Sequence, residues 1–284
     1  MNNWLKFSIP TYYLFYSRLN RKSEIFSWVL VFPLIVFLGN YSLTDLQFLS
    51  FVAIFVLAYW SWFSFYEIGY LENDALTVKL EDKPTMRIPM DEVAFIQKHF
   101  RWIAIIRWLS FFLGLALLHV FFEGLLRLDW MLILAMLTRA FFWIHNHFRS
   151  RINIFSYFGL STCKYLFFAL VLYKISYPFL LVGFFLAFPL IRTIEHACKV
   201  KYQLPILKKW VGDLDNFRVR YYLIISLILS VYLYSLNTWG QLEKQHLVMF
   251  GLVFYFFLYR ILVWLVLKNG QYKRTKFEAH TWEK

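Results

Sequence analysis

Eight long apolar runs leave this chain almost no alternative to a membrane. They cover roughly 26–40, 46–70, 103–122, 128–147, 154–174, 177–197, 219–236 and 246–267. A bilayer core asks for about 20 apolar residues per helix, so only the first run is short and needs a tilt or an earlier start. Inside hydrocarbon a segment must satisfy its own backbone polar groups, which selects helices. The expected fold is therefore all-α: a multi-pass transmembrane bundle of about eight (8–9) spans, forming one integral-membrane domain over residues 1–284. The composition agrees, at 60% hydrophobic and 23% aromatic. Residues 1–25 read as an amphipathic lead-in segment at the membrane surface.

The net charge of +13 raises nucleic acid as a partner, and the placement of the charge excludes it. Most Lys and Arg sit in connections on one side of the spans, against Arg127, Lys174 and Lys244 on the other. That is the positive-inside pattern, reinforced by attraction to anionic headgroups. With eight spans it puts both termini on the cytoplasmic side. The two long polar connections, 71–102 and 198–218, then form cytoplasmic caps after spans two and six. Their separation by four spans suggests two four-helix halves. Two cysteines, Cys163 and Cys198, are too few for a disulfide framework or a Cys-based zinc site.

The polar stretch Tyr66–Arg87 begins where the second apolar run ends. Glu67, Asp74 and Glu81 are seven apart, and Asn73, Thr77 and Glu81 are four apart. On a regular helix both sets make stripes. Oxygen-rich stripes suit Mg²⁺, which takes one or two carboxylates together with substrate phosphates.

Charges inside spans usually face a cavity or a partner. Arg139, Asn146 and Arg149 share a face of the fourth run. Tyr157, Ser161 and Lys164 share a face of the fifth, and Arg192, Glu195, His196 and Lys199 lie at i, i+3, i+4 and i+7 at the end of the sixth. Arg107, Arg149 and Lys199 also read as bases that snorkel to headgroups, and Arg260 as a lone ion-pair partner. Lys164 and Arg139 sit deeper and need an anion: Glu67, Asp74, Glu195 or a substrate phosphate. No zinc-protease, P-loop, nucleophile-elbow or dinucleotide motif is present.

These residues resemble the UbiA superfamily of intramembrane prenyltransferases. That family carries one aspartate-rich motif after the second span, N-D-x-x-D-x-x-x-D followed by a basic segment, and another after the sixth. Here Asn73-Asp74-x-x-Thr77-x-x-x-Glu81 is followed by Pro84-Thr85-Met86-Arg87. Asn73 and Asp74 match, Glu81 is conservative, and Thr77 departs. At the second position only Glu195 matches a metal ligand, with Asp213 and Asp215 as further candidates. Eight spans instead of the family's usual nine is another departure.

The resemblance implies a Mg²⁺-dependent transferase that displaces diphosphate from a prenyl diphosphate donor. It casts Asn73, Asp74 and Glu81 as first-site metal ligands and catalytic residues, with Glu195 at the second site. Lys79, Arg87, Arg139, Asn146, Arg149, Lys164, Arg192 and Lys199 become substrate-binding residues, and Glu67 holds one of the bases in place. The partners implied are an isoprenoid lipid, a diphosphate-bearing donor and the membrane, with the active site on the cytoplasmic side. Two alternatives stand beside it: transfer from phosphoribosyl diphosphate to a polyprenyl phosphate, which the P-T-x-R ending resembles, and a non-catalytic lipid-binding scaffold. A transporter is disfavoured, because the strong polar features lie on one side.

Overall fold

The computed structural model describes residues 2–19, 21–80, 86–148, 150–173 and 176–269, and these are helical with no strand among them. Eight helices are long and apolar enough to cross a bilayer: Lys22–Tyr41, Phe48–Leu76, Met90–Phe121, Leu128–His147, Ile152–Tyr173, Pro178–Ala197, Leu214–Thr238 and Lys244–Lys268. All eight apolar runs thus become spans of a multi-pass membrane protein.

Four boundaries differ from the reading of the sequence, and the simplest is the second span, which runs on from 70 to Leu76. The first span starts at Lys22 and reaches 20 residues. It is two helices, Lys22–Val31 and Pro33–Tyr41, with Phe32 out of the helical region between them. Pro33 lacks the N–H a continuous helix needs and sits at the first position of the second piece, where none is required. The third span starts at Met90, so the later part of the 71–102 connection is helix. Its 32 residues extend about 48 Å at 1.5 Å each, longer than the hydrocarbon, and its polar first turns stand outside. Asp91 and Glu92 there suit the positive end of the helix dipole. The seventh span starts at Leu214, because the Asp213 carboxylate accepts from the Asp215 and Asn216 amides and caps it.

The chain divides into two compact units. One is Met1–Leu30 with Leu46–Ser156, together with Lys276–Lys284, which lies outside the described residues; the other is Val31–Asp45 with Tyr157–Thr275. In the first unit, residues 1–25 do more than lie on a surface. Short helices Asn3–Ser8 and Tyr12–Arg18 bury Phe7 and Tyr13 completely in a core with Leu71, Ala75, Val93, Ile96 and Ile103. Two glycines permit close helix approach. A Cβ on Gly69 would lie 2.3 Å from the Phe142 ring, and one on Gly114 would lie 2.5 Å from Ser61 Cβ. Small residues at such crossings are how membrane helices gain contact without a hydrophobic driving force.

The core of the second unit is aromatic. Tyr165 stacks on Phe188 at 4.2 Å, and Phe256 meets Phe188 edge-on and stacks with Tyr222. Pro189 would break a regular helix here. The sixth span absorbs it in a π-helical turn, Leu186–Leu190. The Tyr221 and Tyr222 hydroxyls donate to the Leu186 and Ala187 carbonyls of that turn, at 2.8 and 2.7 Å.

Candidate functional site: two charged clusters beside π-helical turns

The second span also ends in a π-helical turn, Glu72–Leu76. The Thr77 amide closes it onto the Glu72 carbonyl at 3.0 Å, and the Gln97 side-chain amide donates to the Ala75 carbonyl at 2.8 Å. A π turn adds one residue and rotates the residues beyond it by about 100°. The seven-residue stripe therefore does not persist: Glu67, Glu72 and Asp74 each meet a different partner set. Glu81 lies outside the described residues.

Glu67 is fully buried. Its Oε2 accepts from Arg107 Nη1 at 2.8 Å and the Thr11 amide at 3.0 Å, and its Oε1 from the Leu14 amide at 2.9 Å. Arg107, also fully buried, donates from Nε to the Phe7 carbonyl at 2.6 Å and from Nη2 to the Ile9 carbonyl at 3.3 Å. Arg107 does not snorkel, and Glu67 holds Arg107 and the N-terminal turn rather than a phosphate-binding base. The physical reason is that an unpaired buried charge is far costlier than a paired one.

Asp74 is closed on both oxygens. Arg18 Nη2 and the Tyr13 hydroxyl donate to Oδ2 at 2.7 and 2.8 Å; Arg87 Nη1 and Asn73 Nδ2 donate to Oδ1, each at 3.0 Å. The Arg18 guanidinium also lies 4.0 Å from the centre of the Tyr70 ring. Burial alone would lower the Arg18 pKa, but the Asp74 charge and hydrogen bond, together with Tyr70 and Tyr13, hold it above its ordinary value. Burial first, and then Asp74, push the Tyr13 hydroxyl well above the usual tyrosine range. Glu72, which the spacing did not single out, takes a two-pronged bond from Arg139 at 2.7 and 3.0 Å and a third from Asn146 at 3.3 Å. The shared face of Arg139 and Asn146 is therefore real. Its anion is Glu72. Lys79 is exposed.

This arrangement does not fit Mg²⁺ as it stands. The ion needs near-octahedral oxygen ligands, and four hydrogen-bond donors already occupy the two Asp74 oxygens. Among the described residues no three His, Cys, Asp or Glu side chains come together in a way that could hold a metal. Asn73 and Asp74 are accordingly parts of an ion-pair cluster.

The second unit holds its charges less closely. Arg218 grips Glu195 through Nε at 2.5 Å and Nη2 at 2.9 Å, and reaches Asp215 at 3.0 Å. Arg192 stands 3.7 Å from Glu195 with a third of its side chain exposed. Tyr157, Tyr165 and Tyr222 lie within electrostatic range of Arg192, and Arg260 within range of Glu195, Arg192 and Arg218. Arg260 Nε is buried with no hydrogen-bond partner among the described residues. Three guanidinium groups thus meet two carboxylates. Asp213 caps the seventh span, and Asp215 pairs with Arg218.

The Lys164 ammonium lies 5.0 Å from the centre of the Phe32 ring and 5.6 Å from that of Tyr165. His196 stacks on Tyr157 at 4.0 Å, and its Nε2 lies 2.6 Å from the Tyr202 hydroxyl. Lys199 is exposed, and Arg149 lies outside the described residues.

The residues that sequence reasoning missed are Tyr13, Arg18, Glu72 and Arg218, together with the true role of Arg107. One signal was available: every base inside a span needs an acid, and Glu72 was the unassigned acid nearest the end of span two. No family model matches this chain, and neither a curated protein nor a solved structure matches it.

Proposed function

We infer that this protein handles a phosphate- or diphosphate-bearing isoprenoid lipid, with the UbiA-like transfer of a prenyl group as its reaction. The observation that carries this reading is the pair of guanidinium groups in the second unit that no carboxylate closes: Arg192 stands 3.7 Å from Glu195, and Arg260 forms no ion pair among the described residues, where its buried Nε has no hydrogen bond either. A phosphate supplies charge and acceptor oxygens to such a cluster, and bidentate guanidinium bonds are the strong form of that contact. The aromatic slab of Tyr165, Phe188 and Tyr222 beside it suits an unsaturated apolar tail. In the proposed reaction the bond between the prenyl C1 and the diphosphate oxygen breaks, the electron pair leaves with diphosphate, an acceptor bonds to C1, and the proton that the acceptor loses goes to the released diphosphate or to water. Arg192, Arg218 and Arg260 stabilise the charge that develops on the leaving group.

A second reading, a non-catalytic lipid-binding scaffold, is favoured by the closure of Glu67, Glu72 and Asp74 in ion pairs. One experiment separates the two. The purified protein in nanodiscs receives prenyl diphosphates and phosphoribosyl diphosphate in turn, with membrane lipid extract, with and without Mg²⁺. The transferase reading expects diphosphate release that Arg192→Ala removes, and the active donor chooses between prenyl and phosphoribosyl transfer. Binding of the lipids without release from any donor selects the scaffold. Mg²⁺-dependent release that Asp74→Asn abolishes would show that the Asp74 cluster opens to take a metal.

A further inference from the structure

We propose that residues 198–213, between spans six and seven, form a lipid-surface anchor that docks onto an anionic leaflet. The segment leaves the membrane at Ala197 and returns at Leu214, so both its ends are held at one surface. It is built from two short turns of helix, Val200–Tyr202 and Pro205–Val211. Gln203, at φ 52°, reverses the chain between them, and Gly212, at φ 63°, ends the second.

The inward side of the segment is fixed. Tyr202 and Val211 are each 1% exposed. The Tyr202 hydroxyl meets His196, and Arg220 Nη2 donates to the Val211 carbonyl at 3.2 Å. The outward side is apolar and open: Ile206 is 86% exposed, Val200 78% and Trp210 65%. Ile206 and Trp210 are four apart and share a helix face. A recess of about 550 Å³ runs along Leu204, Pro205, Ile206, Leu207 and Trp210.

Charge selects the occupant. Lys199, Lys201, Lys208 and Lys209 are all exposed around this face, and Asp213, which caps span seven, is the one acid in the segment. Apolar side chains including a tryptophan, ringed by lysines, match the region where acyl chains meet anionic headgroups. Lysine stems can run along the apolar layer while their ammonium groups reach the phosphates. This anchor is independent of the proposed transfer reaction.

Hydroxyl-radical footprinting of the unaltered chain tests the proposal, in nanodiscs of neutral phospholipid and of neutral phospholipid with about one-third anionic phospholipid. Trp239, 70% exposed at the end of span seven, is the internal control. Oxidation of Trp210 is expected to fall about five-fold in the anionic discs, with Trp239 unchanged, and Lys208→Glu with Lys209→Glu to restore it. Equal oxidation of Trp210 in the two discs would overturn the proposal, as would protection that survives both substitutions. Protection produced in neutral discs by inorganic phosphate alone would assign the lysines to free phosphate and overturn it too.

Discussion

In the first unit Glu67, Glu72 and Asp74 are each closed by guanidinium groups, whereas in the second Glu195 and Asp215 face Arg192, Arg218 and Arg260. Glu72 and Asp74 lie in one π-helical turn, and Arg192 and Glu195 lie just after the other. Each cluster carries one guanidinium more than its carboxylates, and the two differ in how closely those guanidinium groups are held. In the first, Arg18, Arg87, Arg107 and Arg139 each lie within 3.0 Å of Glu67, Glu72 or Asp74, and Tyr13, Asn73, Asn146 and the Thr11 and Leu14 amides supply the remaining donors. Such a cluster ties elements together. In the second, Arg192 stands 3.7 Å from Glu195 and Arg260 has no ion pair among the described residues. Guanidinium groups without a closely held carboxylate are what an incoming anion would complete.

If that contrast is right, the largest loss comes from opening the first cluster. Arg107→Ala leaves Glu67 buried without its cation and should lower the unfolding free energy in mixed micelles by about 3–5 kcal/mol. Joint replacement of both residues by methionine should recover much of it. A loss below about 1 kcal/mol would mean that the cluster is solvated and open.

Gly69→Ala comes next, because its Cβ would strike the Phe142 ring. About 1–3 kcal/mol is expected from overpacking. Gly251→Ala is the control, since nothing lies within 4 Å of its Cβ position. Equal effects at the two sites would show that span four does not pack on span two at Gly69.

Tyr13→Phe should cost about 1 kcal/mol, because three other donors remain on Asp74, and it should alter the pH dependence. The folded protein raises the Tyr13 pKa through burial, then through Asp74. The neutral form is favoured on folding, so this stability is complete below the ordinary tyrosine value of about 10 and is lost as pH rises beyond it. Unfolding measured across the alkaline range should therefore fall less steeply in the variant.

The smallest change in stability is expected in the second unit. Arg192→Ala removes a 3.7 Å contact while Arg218 stays on Glu195, which predicts a loss of less than about 1 kcal/mol. Binding of a prenyl diphosphate to the same variant, measured by calorimetry in nanodiscs, should weaken about ten-fold. A variant that is unstable yet binds normally would reverse the roles assigned to the two clusters.

The spans were legible because their cause is local. A run such as 246–267 carries its own hydrophobic argument, and the structure places a helix at Lys244–Lys268. Boundaries were less legible wherever a single residue changed the rule: Pro33 splits span one, and Asp213 starts span seven early. The site was half legible. Arg139 and Asn146 were paired on one face, and Arg192 and Glu195 on another, because each pair is close in sequence. Their partners are not. Arg18 reaches Asp74 across 56 positions, and Arg107 reaches Glu67 across 40. The heptad from Glu67 through Asp74 assumed 3.6 residues per turn, and the π turn at Glu72 broke it.

What the sequence determined by itself is the solvent of this protein. Eight apolar runs require a bilayer and make the helix the only economical way to cross it. It also determined which side chains are too costly to leave alone there. Tertiary structure alone decided who answers them. Each buried charge takes whichever opposite group the folded chain brings within hydrogen-bond distance, and that choice depends on π turns, glycine crossings and a folded-back N-terminus. Periodicity records the faces of one helix, while an ion pair depends on the meeting of two.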